Sequence, residues 1–90
     1  MFLVPLPGLL LMAAAEGHDA VVEYLLDAGV AQINVTDSRG NTPLHLAVMG
    51  NYFKAAKLLK DAGADLLVQN TAFSYPLDVC ISNECRALFD

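Results

Sequence analysis

Positive charge is scarce in this chain. Five Lys/Arg stand against ten Asp/Glu, a net charge of −5 with a pI near 4.6. Five cations cannot build a phosphate-neutralising stripe, which argues against nucleic acid as a partner, and the same deficit argues against an anionic membrane surface. Cysteine is nearly absent too. Cys80 and Cys85 are five apart, and on one helix they would point about 140° from each other, so they cannot bridge there. Neither sits in Cys-x-x-Cys spacing, so packing is the expected role, and reduced thiols fit an intracellular, cytoplasmic setting with the nucleus left open. The apolar run Met1–Ala15 is too short to span a bilayer. It ends in Ala13-Ala14-Ala15 like a secretory cleavage site, but no Lys or Arg precedes it and Pro5, Pro7 and Gly8 interrupt it.

Catalytic patterns are missing as well. His18 and His45 are 27 apart with no His, Cys or carboxylate at helical spacing to complete a metal set. The acids Asp19, Glu23, Asp27, Asp37, Asp61 and Asp65 are spaced as caps and solvated faces, without a close pair for acid–base work. Ser38, Ser74 and Ser82 lie in no nucleophile elbow, and no Gly-rich phosphate loop occurs. The sequence therefore points to a protein that is not an enzyme, with no cofactor and no metal.

What is present is apolar surface in a repeating frame. Ninety residues make one small domain, 1–90, yet 56% of them are apolar, more than the usual 45–50%. The clearest stretch is Asp37–Met49. Asp37 can bond its own backbone two residues on, and Gly40 can take positive φ, which makes a tight turn. Thr42 is a natural N-cap, Pro43 fits the first helical position, and His45 can reach back to the cap. Leu44, Ala47 and Val48 then form one apolar stripe. The phrase returns with Pro76-Leu77, 33 residues after Pro43-Leu44, and Val21–Gly29 aligns with Ala55–Gly63 at a shift of 34. A period near 33 with a turn and two short helices per unit signals a solenoid.

Thr42-Pro-Leu-His-Leu-Ala and Leu58-Leu-Lys-Asp-Ala-Gly-Ala-Asp65 resemble an ankyrin repeat, and Met12-Ala-Ala-Ala-Glu-Gly-His18 matches a first inner helix. The resemblance implies an all-α solenoid of about two and a half units, near 8–36, 37–69 and 70–90. It places Gly17 at the end of the first helix, Asp19 at the cap of the next and a second inner helix over Pro43–Met49. Asn51 follows in a left-handed conformation, then an outer helix over Phe53–Ala62. An extra residue within 30–36 predicts a small bulge. In the third unit Phe73 occupies the turn glycine's place, Tyr75 the threonine's and Asp78 the histidine's. A large aromatic resists positive φ, so the last hairpin is expected to be distorted. Cys80 takes the place of Ala47.

Function then lies in the surface that the fold leaves unexplained. In proteins this chain resembles, hairpin tips and the inner-helix face grip a partner protein. Here those positions carry Ser38, Arg39, Asn41, Met49, Tyr52, Thr71, Phe73 and Tyr75, rich in types enriched at interface cores. Arg39 and Asn41 are expected to be exposed. The resemblance also implies that Asn34 is the hairpin asparagine offered to an asparaginyl hydroxylase. The leading expectation is a protein-binding module. The alternative is self-association through ends that lack polar capping units, probed at Leu10 and Leu88, as a stretch of a longer array or an assembly element. A third, removal of Met1–Ala15, would uncover Val21, Val22 and Leu25.

Overall fold

The N-terminal half of each helical pair begins where the local chemistry places it. In the computed structural model, which describes residues 6–29 and 32–90, helix α1 covers Leu6–Ala15 and α2 covers Asp19–Ala28. Helix α3 covers Pro43–Met49 and α4 covers Phe53–Asp61. A 3₁₀ helix, Pro76–Val79, and the short α5, Asn83–Ala87, complete a third pair. No strand occurs among the described residues. Residues 1–5 of the apolar start lie outside them, as does part of the bulge expected within 30–36.

Each pair is an antiparallel hairpin of helices, and pairs stack side by side into an elongated body of 43 × 25 × 20 Å. Helix α1 packs on α3 and α2 on α4, while the 3₁₀ helix continues the inner row beyond α3. Where the inner helices end, Gly17 (φ 70) and Asn51 (φ 62) both turn left-handed. The next amides then reach back: His18 N–H to the Ala13 carbonyl and Tyr52 N–H to that of Ala47, both 2.9 Å. Asn in Gly's place was predicted, because Asn tolerates that conformation. Asp19 is not the cap of α2. His18 holds that position without a side-chain bond, and Asp19 sits in the first turn, where its charge favours the helix N-terminus.

The core is a single cluster threaded through all three pairs: Leu10, Val22, Leu25, Leu44, Val48 and Leu59 are buried, with alanines between them where helices approach. Leu10 is fully buried, and Leu88 half-buried. Leu10 is therefore core rather than an open end.

The cysteines depart from expectation. Cys80 and Cys85 are joined by a disulfide with Cα atoms 5.6 Å apart. The helical angle that forbids such a bridge does not apply, because the chain leaves the 3₁₀ helix at Cys80 with ψ 137 and restarts at Ser82, the cap of α5. The bridge takes away the ground on which the cysteines suggested an intracellular setting.

Candidate functional site

Two hairpin turns line one edge of the stack. In the first, the Arg39 and Asn41 amides donate to Asp37 Oδ1, both at 2.9 Å. The Gly40 amide donates to the Asp37 carbonyl and the Asp37 amide to that of Asn41, both at 3.0 Å. The second turn copies this bond for bond. Ala72 and Ser74 amides donate to Asn70 Oδ1 at 2.9 and 3.0 Å. The Phe73 amide donates to the Asn70 carbonyl at 2.9 Å, and the Asn70 amide to that of Ser74 at 3.0 Å. Phe73 adopts φ 62, close to the φ 76 of Gly40. The distortion expected there is absent, because the Asn70 side chain rebuilds the whole network around the strained residue. Left-handed φ costs a residue with a Cβ roughly 1–2 kcal/mol, which four hydrogen bonds can offset.

The turns are also tied to each other. The Thr71 amide donates to the Arg39 carbonyl at 2.9 Å, and Asn70 Nδ2 to Asn41 Oδ1 at 2.9 Å. A Cβ on Gly40 would lie 3.1 Å from Asn70 Cα, so glycine also permits this approach. Asn41 is consequently buried at 5% exposure, contrary to its expected place on the surface. Its amide group is occupied in joining hairpins. Asn34 does similar work, its Oδ1 accepting the Asp65 amide at 2.8 Å.

His45 anchors the layer beneath. It is fully buried. Its amide donates to Thr42 Oγ1 and its Nδ1 accepts the Thr42 amide, a complete capping box. With Nδ1 accepting, the ring proton belongs on Nε2, which donates to the Ser74 carbonyl at 2.9 Å. In the third pair Asp78 keeps only half of this, accepting the Tyr75 amide at 2.9 Å.

The eight candidate surface residues separate into three groups. Ser38, Arg39, Thr71 and Phe73 gather on the adjoining tips, all exposed, Phe73 at 78%. Among the described residues the Arg39 guanidinium makes no hydrogen bond or ion pair. Met49 and Tyr52 lie at the other end of α3, roughly 10 Å away for seven residues. Tyr52 is partly structural: its ring covers Gly17 and Gly50 so closely that a Cβ on either would fall within 2.4 Å of it. Tyr75, at 38% exposure, instead lines an apolar groove with Leu66, Leu67, Leu77 and Phe89, with Asp78 at its rim.

Sequence reasoning missed this groove. Leu77 stands where Leu44 stands, but Leu44 is buried in a helix against which the 3₁₀ helix packs, whereas Leu77 is 43% and Leu67 75% exposed.

Burial raises the Asp37 pKa, but the Asn41 and Arg39 amides, the Asn41 side chain and the Arg39 charge outweigh it and hold the carboxyl below its ordinary 3.8. A depressed folded-state pKa contributes stability above the unfolded value, lost as pH falls through the folded one. Wild type should therefore exceed Asp37→Asn in urea midpoint at neutral pH, with the gap closing below pH 3.8. A gap constant with pH would contradict this.

Among the described residues no three His, Cys, Asp or Glu converge to hold a metal ion, and no helix is long and apolar enough to cross a membrane. The family model describing ankyrin repeats, in three copies, matches residues 8–70. A target of rapamycin complex 2 subunit, AVO2 of Saccharomyces cerevisiae, is 36% identical over 70 residues, covering 78% of this chain and 16% of its own. Oxysterol-binding protein-related protein 1 of Rattus norvegicus is 37% identical over 82 residues, 90% of this chain and 9% of its own. The chain thus spans a small fraction of these curated relatives. Among solved structures, the ankyrin repeat domain of Bcl-3, an IκB family protein, superposes with a TM-score of 0.85 at 26% identity, over 89% of this chain and 35% of that one.

Proposed function

This chain belongs to the ankyrin-repeat family, and from that premise we propose a non-catalytic protein-recognition module that grips its partner with Ser38, Arg39, Thr71 and Phe73. Ankyrin repeats are in general protein-interaction modules. The observation that carries the assignment of the surface is the bonding between the two hairpins, which holds these exposed side chains on one edge before any partner arrives. A pre-ordered edge loses little entropy on docking. The inner-helix end at Met49 extends the same surface, and the repeats run near 8–36, 37–69 and 70–90.

Arg39→Glu tests it. Partners recovered by cross-linking and mass spectrometry from wild type should be weakened about 30-fold, on the order of 2 kcal/mol for a central arginine. The variant should unfold within about 1 kcal/mol of wild type, because the side chain makes no hydrogen bond or ion pair among the described residues and acts on stability only through its charge near Asp37. Equal recovery by both proteins would remove the tips from the interface.

A second reading, self-association, is favoured by one observation. Leu67, just ahead of the third pair, and Leu77 and Ile81 within it are exposed at 75%, 43% and 69%, where a soluble surface would be polar.

A further inference from the structure

The third pair is closed by different chemistry from the first two. Six positions separate Ala13 from Asp19 and Ala47 from Phe53, but three separate Cys80 from Asn83. The longer connections hold a left-handed residue, Gly17 or Asn51, and the amide that returns to the carbonyl of Ala13 or Ala47. The shorter one has room for neither. Cys80 stands in the place of Ala47, yet its backbone is extended at ψ 137, and among the described residues no amide donates to its carbonyl. The disulfide to Cys85 supplies the tie instead. Cys85 is the third residue of α5, as Ala55 is the third of α4. The bridge thus joins an inner to an outer helix at positions where the second pair carries the buried alanines Ala47 and Ala55.

One other tie reaches this corner. Ser82 Oγ donates to Asn51 Oδ1 and accepts the Cys85 amide, both at 3.1 Å, so the cap of α5 is linked to the second pair. Hydrogen bonds of this kind are individually weak. The Phe73 hairpin is held separately. His45, Asn41 and Asn70 fasten it to the second pair ahead of the 3₁₀ helix.

We infer that Cys80 and Cys85 form a redox latch on α5. Oxidised, they fix α5 to the end of the 3₁₀ helix. Reduced, they let α5 open while the rest of the stack stays closed. To close the latch, the thiolate of one cysteine attacks a small-molecule disulfide, forming a mixed disulfide and releasing one thiol. The other cysteine then displaces the second thiol. Two protein thiols give up two electrons and two protons, and one small disulfide becomes two thiols; a dithiol reductant reverses both steps. Cys80 is 7% and Cys85 1% exposed, so either reagent meets the sulfurs only when α5 lifts. The latch stands whether or not the hairpin tips grip a partner.

The test is amide hydrogen exchange on the full chain, oxidised with glutathione disulfide or reduced with dithiothreitol, with thiols counted by alkylation in denaturant. The oxidised chain should accept no alkyl group and the reduced chain two. On reduction the Arg86, Leu88 and Phe89 amides, each bonded within the α5 segment, should exchange roughly 30-fold faster, the effect of losing a cross-link over so short a loop. The Ala72 and Ser74 amides should keep their rates. The double variant Cys80→Ala, Cys85→Ala, which installs the alanines of the second pair, should show the faster α5 rates with or without reductant. Two free thiols after oxidation would overturn the latch, because the bridge would not form. So would unchanged α5 rates in the reduced chain, or an equal acceleration throughout the stack.

Discussion

His45→Ala should cost the fold about 3 kcal/mol, because it leaves two backbone groups unpaired while the Thr42 cap bond to the residue-45 amide survives. The imidazole is fully buried and touches three backbone or side-chain partners at once. Its removal leaves the Thr42 amide without its acceptor and the Ser74 carbonyl without its donor. Because Ser74 also closes the Asn70 turn, the loss should spread to the Phe73 hairpin. For a domain of this size the melting temperature should fall by roughly 12–24 °C. Urea unfolding gives the magnitude. Hydrogen exchange at the Ala72 and Ser74 amides locates it, and a loss under about 1 kcal/mol with unchanged exchange would show that the cross-layer bond is not structural.

Leu10→Ala should cost a similar amount, about 3 kcal/mol, through lost burial and the cavity left behind. Leu10 has no exposed surface and belongs to the cluster that includes Val22, Leu25 and Leu44. Met12, two residues on and 57% exposed, is the matched control, and Met12→Ala should stay within about 0.5 kcal/mol. The contrast would be read by urea unfolding of both variants. Similar small effects at the two positions would mean that α1 is docked loosely. The same burial explains why Leu10 cannot report on association: changing it unloads the core before it alters any surface.

Thr42, Pro43 and His45 could be read from the chain because capping is local. The cap, the proline and the returning imidazole lie within four residues, and the structure joins them as expected. The same holds for Asp37 with Gly40 and for the left-handed Asn51. Repeat spacing then fixed the stacking partner of each helix, since units of one length with matched apolar stripes can bury them only against each other.

Between units, local chemistry stopped being informative. Phe73 looked incompatible with its turn when judged alone. It fits because Asn70 rebuilds the Asp37 network and because a neighbouring hairpin is bonded to it, neither of which a propensity includes. Asn41 read as surface and is buried by the Asn70 that faces it 29 residues later. Cys80 and Cys85 read as unable to bridge on the assumption of one continuous helix. The break at Cys80 brings their Cα atoms to 5.6 Å. Helices, their caps and the repeat period were legible along the chain, because caps and apolar stripes depend on contacts within a few residues. The tertiary structure alone decided which polar side chains bind hairpin to hairpin and which leucines remain uncovered, because those depend on what lies one repeat away.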